Sequence, residues 1–288
     1  MLDIKVQKKI IPSIVQKTIN VIILNKCAKK IYDSTVLGKP MQAWVENSVK
    51  DYHYTTLDYD GKIESKNFIK PHITPSDYTL VLYSNTPLLT KGVISHLVEF
   101  VTLKESVACK LPVGYMVQTE YLLKAKEIMF DSVYNFNIEA FYEINTKQDI
   151  TYAVKCLSKR INTFYVNNGV EIENIDTTLI EPSVKISVGV TILSHVVLKG
   201  NTTIGSGTII KENSVICDST IGKDCLVSSS NITNSTLEDN VCIGGFCEII
   251  DATIREEVTI GRYSIVSGRT VRKKTSLPER STLSKSKE

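Results

Sequence analysis

The sequence contains no apolar run approaching the roughly 18 residues a membrane-crossing helix needs; Val21-Ile22-Ile23-Leu24 is the best it offers. It also lacks a charge excess. Lys+Arg 34 against Asp+Glu 31 leaves +3, too little for the electrostatic footprint of a nucleic-acid binder. The seven cysteines form no CxxC pair, which excludes a zinc ribbon. A chain of 288 residues does not need disulfide staples, so these are read as reduced thiols of a cytoplasmic protein. The first residues carry lysines but no uninterrupted apolar stretch, and no secretory signal is read there. What is present is ordinary for a soluble globular chain: 42% hydrophobic and 23% charged residues, enough for a real core. Collagen and disordered classes are excluded on the same figures. The length implies about two domains.

The two halves differ in composition. Twelve of the thirteen tyrosines, the single tryptophan (Trp44) and six of the seven phenylalanines lie at or before residue 165. Ten of the fourteen glycines come after it, amid Ile, Val, Ser, Thr and Asn. Such a shift marks a domain boundary.

The second half repeats. Aliphatic residues recur from Ile180 through Ile186, Ile192, Leu198 and Ile204 to Val266, Val271, Leu277 and Leu283, six residues apart and occasionally five. Two positions before most anchors sits a small or β-branched residue, as in Thr202, Thr208, Ser214, Ser219, Cys225 and Ser230. Strand side chains alternate between faces, so both members of each pair point inward. Gly205, Gly222, Gly244 and Gly261 each follow an anchor, suiting a tight corner. A six-residue register held over about a hundred residues is the hexapeptide signature of a parallel β-helix, not of a sandwich. At Arg269 the inward small position is charged, and a polar SKSKE tail follows. Burying that charge would cost several kcal/mol, so regular coils are expected to stop between Ser267 and Leu277, after about five or six turns.

Between the halves, Ile150, Ala153, Val154, Leu157, Ile161 and Phe164 fall on one face at helical spacing. Thr146 with Asp149 resembles a capping box, and Asn168-Gly169 supplies a left-handed stop. In the first half, Asn20–Leu24, Tyr78–Tyr83 and Tyr115–Val117 read as strands. Pro40–Val49, Lys91–Val101 and Tyr121–Met129 read as helices. The alternation suggests an α/β sheet. Residues 1–19 are left unplaced.

This order of parts resembles the bifunctional N-acetylglucosamine-1-phosphate uridyltransferase/glucosamine-1-phosphate acetyltransferase family. The resemblance is clearest from INTKQDITYAVKCLSKRINTFYVNNGVEIENIDTTLIEPSVKI, with Arg160-Ile161-Asn162 and Asn168-Gly169-Val170, through LKGNTTIGSGTII to about Tyr263. It is strong over 140–283. Before that it survives as islands at Val21–Leu24, Gly38-Lys39-Pro40-Met41, Leu82–Leu88 and Val113–Tyr115. It implies a reduced nucleotidyltransferase-like (Rossmann-like) α/β domain over 1–145, a linker helix over 146–168, and a left-handed β-helix with a polar tail over 169–288.

The resemblance also implies site residues, and the departures from it bear on function. The substrate contacts carried over are Leu24, Lys39, Asn85, Gly114 and Asn145. The family's glycine-rich phosphate loop after the first strand is replaced by Asn25-Lys26-Cys27-Ala28-Lys29-Lys30, where lysines could attract phosphates only as point charges. Its YGDVPL metal motif corresponds to Tyr83-Ser84-Asn85-Thr86-Pro87-Leu88, with Asn85 in the place of the aspartate. The metal positions are then Asn85 and Asn145, two neutral amides that suit magnesium poorly. In the other half, Ile250 and Ser267 stand where the family has a sugar-phosphate-binding arginine and lysine. Glu279-Arg280-Ser281-Thr282 stands where it carries the histidine base. The coils that would hold acetyl-CoA are expected beyond Glu288.

These departures favour a non-catalytic homotrimeric scaffold, or a binding or regulatory protein for a sugar nucleotide or sugar phosphate, in envelope-precursor metabolism. No cofactor is expected. Two alternatives stay open: an active nucleotidyltransferase making UDP-N-acetylglucosamine with magnesium, and a hexapeptide acyltransferase with a new site around His195.

Overall fold

A computed structural model describes residues 17–26 and 30–284. Most of the unplaced amino-terminal segment, Lys29 and the last four residues of the polar tail lie outside the described residues. The chain divides into two compact units. One comprises Met1–Tyr32 with Met41–Glu143, the other Asp33–Pro40 with Ile144–Glu288.

The first unit is built on a six-stranded sheet. In spatial order its strands are His53–Tyr59, Ile19–Lys26, Tyr78–Tyr83, Tyr115–Gln118, Ala108–Lys110 and Ser132–Val133. The first three are mutually parallel, and Tyr115–Gln118 runs antiparallel to both its neighbours. Both faces are covered, which is why the central strands read as unbroken apolar runs. Val21 and Ile23 pack with Leu80, Leu82, Ile94 and Leu97 on one face. Ile22 and Leu24 pack with Ile69, Val81, Val117 and Leu122 on the other. The helices at Met41–Val49 and Lys91–Leu103 form where apolar spacing predicts them. The expected helix over Tyr121–Met129 spans Thr119–Lys124 instead. After Lys124 the chain folds back, and the Met129 N–H donates to the Tyr121 hydroxyl at 3.0 Å.

The second unit is a parallel β-helix of about seven turns. Three sheets, of seven, six and seven short strands, stack side by side. The inward columns run as the spacing predicts: Leu198, Ile216, Ile232, Ile249, Val266 and Leu283 lie in register on one face. The five-residue steps fall mainly at one corner, where Asp218, Asn234 and Asp251 take φ of 47°, 47° and 49°. Asn and Asp tolerate this left-handed conformation, so the corner can close in fewer residues. The small inward positions also have a polar task. The Ser235 hydroxyl donates to the Thr233 carbonyl and accepts the Ala252 N–H at 3.0 Å. Ser230 likewise accepts the Cys247 N–H at 2.8 Å. Buried backbone groups at the corners are paired in this way.

The junction helix, Lys147–Asn167, carries the full Thr146–Asp149 capping box, and Gly169 takes φ +84° just beyond it. Within the unit it closes the open end of the first coil. Ile161 and Tyr165 pack on the coil core, and Asn162 Nδ2 donates to the carbonyls of Ile175 and Thr178, both at 2.8 Å.

Two expectations about the coils are corrected. Regular coils do not stop by Leu277. Ser276–Leu277 pairs with Thr259–Ile260, and Thr282–Ser284 pairs with Ile265–Ser267. The Arg269 charge is not buried: the residue directly precedes Thr270–Val271, the last strand on that face among the described residues. With no described coil above it, the residue is exposed and its Nε donates to the Ser284 carbonyl at 2.9 Å. Lys273 and Lys274 lie on the outer surface and pair with Glu256 and Glu257. Secondly, Gly205, Gly222, Gly244 and Gly261 are needed for space rather than for unusual φ. A Cβ on Gly205 would stand 2.6 Å from the Gly222 carbonyl carbon, and one on Gly261 2.4 Å from the Glu279 nitrogen.

Gly205→Ala is therefore expected to lose about 1–3 kcal/mol through coil-on-coil overlap. Ala at the open Gly245, where nothing lies within 4 Å, should change the thermal midpoint little. Thermal unfolding of the two variants side by side checks this.

Candidate functional site

In the α/β unit the chain leaves Ile19–Lys26, passes through Met41–Val49, and returns as His53–Tyr59 on one side. It then crosses to Tyr78–Tyr83 on the other side of the first strand. Such a reversal opens a crevice at the carboxyl ends of the strands, where open α/β sheets take ligands. Asn25, Lys26, Asp58, Tyr83, Ser84 and Asn85 lie at those ends.

Two chains of hydrogen bonds occupy the place. Asn25 Nδ2 donates to Asp58 Oδ1 at 2.9 Å, and the Ser84 hydroxyl donates to Asn25 Oδ1 at 2.9 Å. Beside them, Lys26 Nζ donates to Glu143 Oε1 at 2.7 Å, and Asn85 Nδ2 donates to the same oxygen at 3.3 Å. The Lys26 ammonium also lies 4.8 Å from the centroid of the Tyr83 ring. Asn85 is fully buried.

This donor set does not suit magnesium, which seeks several oxygen ligands in near-octahedral array. The Glu143 carboxylate already accepts an ammonium and an amide N–H, and the ammonium places a positive charge beside any incoming cation. Asp58 is engaged by Asn25. Among the described residues no group of three or more His, Cys, Asp or Glu side chains could hold a metal. The surrounding phenols are weak acids or bases at neutral pH. Burial pushes Tyr115 up to about 12, and burial with nearby Tyr83 raises Tyr59.

The sequence-proposed residues are divided between the two units. Leu24, Asn85 and Gly114 belong to the α/β unit, Lys39 and Asn145 to the β-helix unit. The Leu24 side chain is in the core, and its carbonyl accepts the Ser84 N–H. Gly114, at φ +98°, is required by the sheet, since a Cβ there would stand 2.1 Å from the Val81 carbonyl oxygen. Lys39 lies in a hairpin with Thr35–Val36. Asn145 precedes the capping box, and its N–H donates to Asp149 Oδ2 at 3.0 Å. Asp58 and Glu143 were missed: Asp58 sits on an edge strand with an exposed, polar pattern, and nothing in the sequence pairs Glu143 with Lys26.

On the β-helix, Ile250 and Ser267 are register partners, stacked above Thr233. The column is neutral where the resembled family has two basic residues. His195 is exposed at a corner with φ +61°. The thiols of Cys225 and Cys247 are pushed up by burial, which disfavours the reactive thiolate.

A family profile described as "GlmU-like, C-terminal hexapeptide" matches residues 208–288. Bifunctional protein GlmU of Latilactobacillus sakei is 34% identical over 123 residues, which are 43% of this chain and 27% of that protein. GlmU of Streptococcus equi subsp. zooepidemicus is 39% identical over 98 residues, 34% of this chain and 21% of its relative. The β-helix is GlmU-like. The chain spans about a quarter of the length of these GlmU relatives. Among solved structures, the acetyltransferase domain of PglB from Neisseria gonorrhoeae covers 92% of this chain and 95% of its own at 13% identity and a TM-score of 0.36, an overlap too loose to support a functional inference.

Glu143 is the common acceptor, so Glu143→Ala is expected to cost about 1–3 kcal/mol by removing one hydrogen bond from Lys26 and one from the buried Asn85. Lys26→Ala should cost less, because its ammonium is partly solvated in either case. Chemical denaturation of the two variants orders them.

Proposed function

We propose that this chain is a non-catalytic relative of GlmU, a β-helix scaffold whose nucleotidyltransferase-like unit has lost its metal-dependent chemistry. The observation that carries this reading is the Lys26–Glu143–Asn85 arrangement. In-line attack on a nucleotide phosphate needs a cation or dense donors to absorb developing charge. Here a lysine and an amide are spent on one internal carboxylate. The glycine loop that would cradle phosphates is absent from the sequence as well. For acetyl transfer the objection is the missing base, not the number of coils. Of the four histidines only His195 lies after residue 96, and it sits on an early coil far in sequence from Glu279–Thr282. The coils associate as a closed homotrimer through their outer faces, as cyclic assembly of a repeated surface favours, and the partner chemistry is that of a sugar nucleotide or sugar phosphate.

Incubation with UTP, N-acetylglucosamine 1-phosphate and magnesium is expected to release no pyrophosphate above a heat-killed control. Release that Asn85→Ala abolishes would overturn the reading in favour of an active nucleotidyltransferase. Calorimetry is expected to show no acetyl-CoA binding; turnover of acetyl-CoA lost in His195→Ala would favour an acyltransferase. Light scattering is expected to give a trimer, and a monomer across micromolar concentrations would remove the assembly from the proposal.

A further inference from the structure

One corner of the β-helix carries residues in the left-handed region in coil after coil. His195, Asn213, Phe246, Tyr263 and Arg280 each stand three residues after an inward anchor (Ile192, Ile210, Ile243, Ile260 and Leu277). Their φ values are 61°, 59°, 60°, 60° and 62°. Asn tolerates this conformation, whereas for a bulky aromatic residue it is unfavourable. Phe246 and Tyr263 adopt it at the surface, where they are 66% and 54% exposed and gain little from burial. Their rings stack in parallel, with 5.4 Å between centroids and 8° between planes. An unfavourable backbone conformation held by two exposed rings points to a use for the rings themselves.

The coil beneath Phe246 leaves room. Ile243 to Ile249 is a six-residue step, and it lies in register over Val227 to Ile232, a five-residue step. The next coil down, Ile210 to Ile216, again takes six residues. The short corner therefore has one residue fewer under the Phe246 ring. What stands there is the small Ser229, whose carbonyl accepts the Phe246 N–H at 3.0 Å. Tyr263 covers one face of the Phe246 ring, so the exposure of Phe246 belongs to its edge and its opposite face. Twice the sheet spacing of about 4.8 Å puts the Asn213 and Phe246 corners roughly 9.6 Å apart. A flat base, about 3.4 Å thick, would fill that height less well than a puckered ring. We propose that this slot binds a neutral saccharide ring. A pyranose presents a face of C–H bonds that suits the negative face of an aromatic ring, and a rim of hydroxyls that both donate and accept. Ser228 and Ser229, half-exposed, and Asn213, exposed, offer the matching hydroxyl and carboxamide groups. On the same two corners and the strand that follows, Lys211, Glu212 and Glu248 bring one positive and two negative charges, which attract no phosphate. The slot shares no residue with the Lys26–Glu143–Asn85 arrangement and requires no catalysis, so it stands independently of the proposed function.

Saturation-transfer NMR on the full chain with methyl β-D-glucopyranoside, N-acetylglucosamine and uridine tests this. At least one of the two sugars is expected to bind at millimolar concentration. Phe246→Asn removes the ring and places at the corner a residue that suits it. It should weaken sugar binding by at least about fivefold and hold the thermal midpoint within about 4 °C. Ser229→Gln keeps the ring and fills the slot beneath it; it should also weaken binding, which separates loss of the slot from any change caused by losing the aromatic stack. The proposal is overturned if neither sugar binds, if uridine binds in their place, or if Phe246→Asn binds sugar as well as the unaltered chain. It also fails if Phe246→Asn lowers the mass seen by light scattering, since the rings would then be a contact between copies of the chain.

Discussion

Everything in the larger unit depends on backbone hydrogen bonding between successive coils. Strands of two or three residues have no stability of their own, and each is held only by the strand above and below it. That pairing works only if every coil presents the same cross-section. The aliphatic column, the small inward column and the corner residues are consequences of this one requirement. Hydroxyls such as Ser230 and Ser235 appear inside because corner N–H groups would otherwise be buried unpaired. Glycines such as Gly261 appear where the next coil comes too close for a Cβ. The two ends of the described coils are handled differently: a helix docked by Asn162 closes one, and at the other an arginine bonds to the Ser284 carbonyl.

The α/β unit obeys a different logic, that of a sheet buried on both faces. Its central strands are specified by hydrophobic burial, and its polar residues gather where strands end. At the carboxyl end several of those polar residues bond to one another. Ser84, Asn25 and Asp58 are linked in one chain of hydrogen bonds, and Lys26 and Asn85 both donate to Glu143. These contacts engage side chains that could otherwise face a substrate phosphate or a metal. At the amino end, Asn20 is the reverse case, a polar group buried without its complement.

The β-helix was legible in the sequence almost residue by residue, because a solenoid repeats in one dimension. The distance along the chain then states directly which residues face inward, and the anchors from Ile192 to Val271 are the buried column. The junction helix was legible for a similarly local reason, since Thr146 and Asp149 are three residues apart and cap their own helix. The edge strand His53–Tyr59 was not, because it is half-covered and carries a mixed polar pattern. Nor was the far end of the coils: Arg269 breaks the inward rule, yet no described coil lies above it to make that charge costly.

The sequence by itself determined the periodic element, the division of residue types between two halves, and the absence of a glycine loop and of histidines in the last coils. Each is a property of neighbours along the chain. Only the tertiary structure decided that Glu143 accepts from both Lys26 and Asn85, that Lys39 and Asn145 fall in a different unit from Asn85, and that Asn20 is left unpaired. Lys26 and Glu143 are 117 positions apart, and only the packing of the α/β unit brings them together. Hydrogen-bond satisfaction is a property of that packing, and no local spacing encodes it.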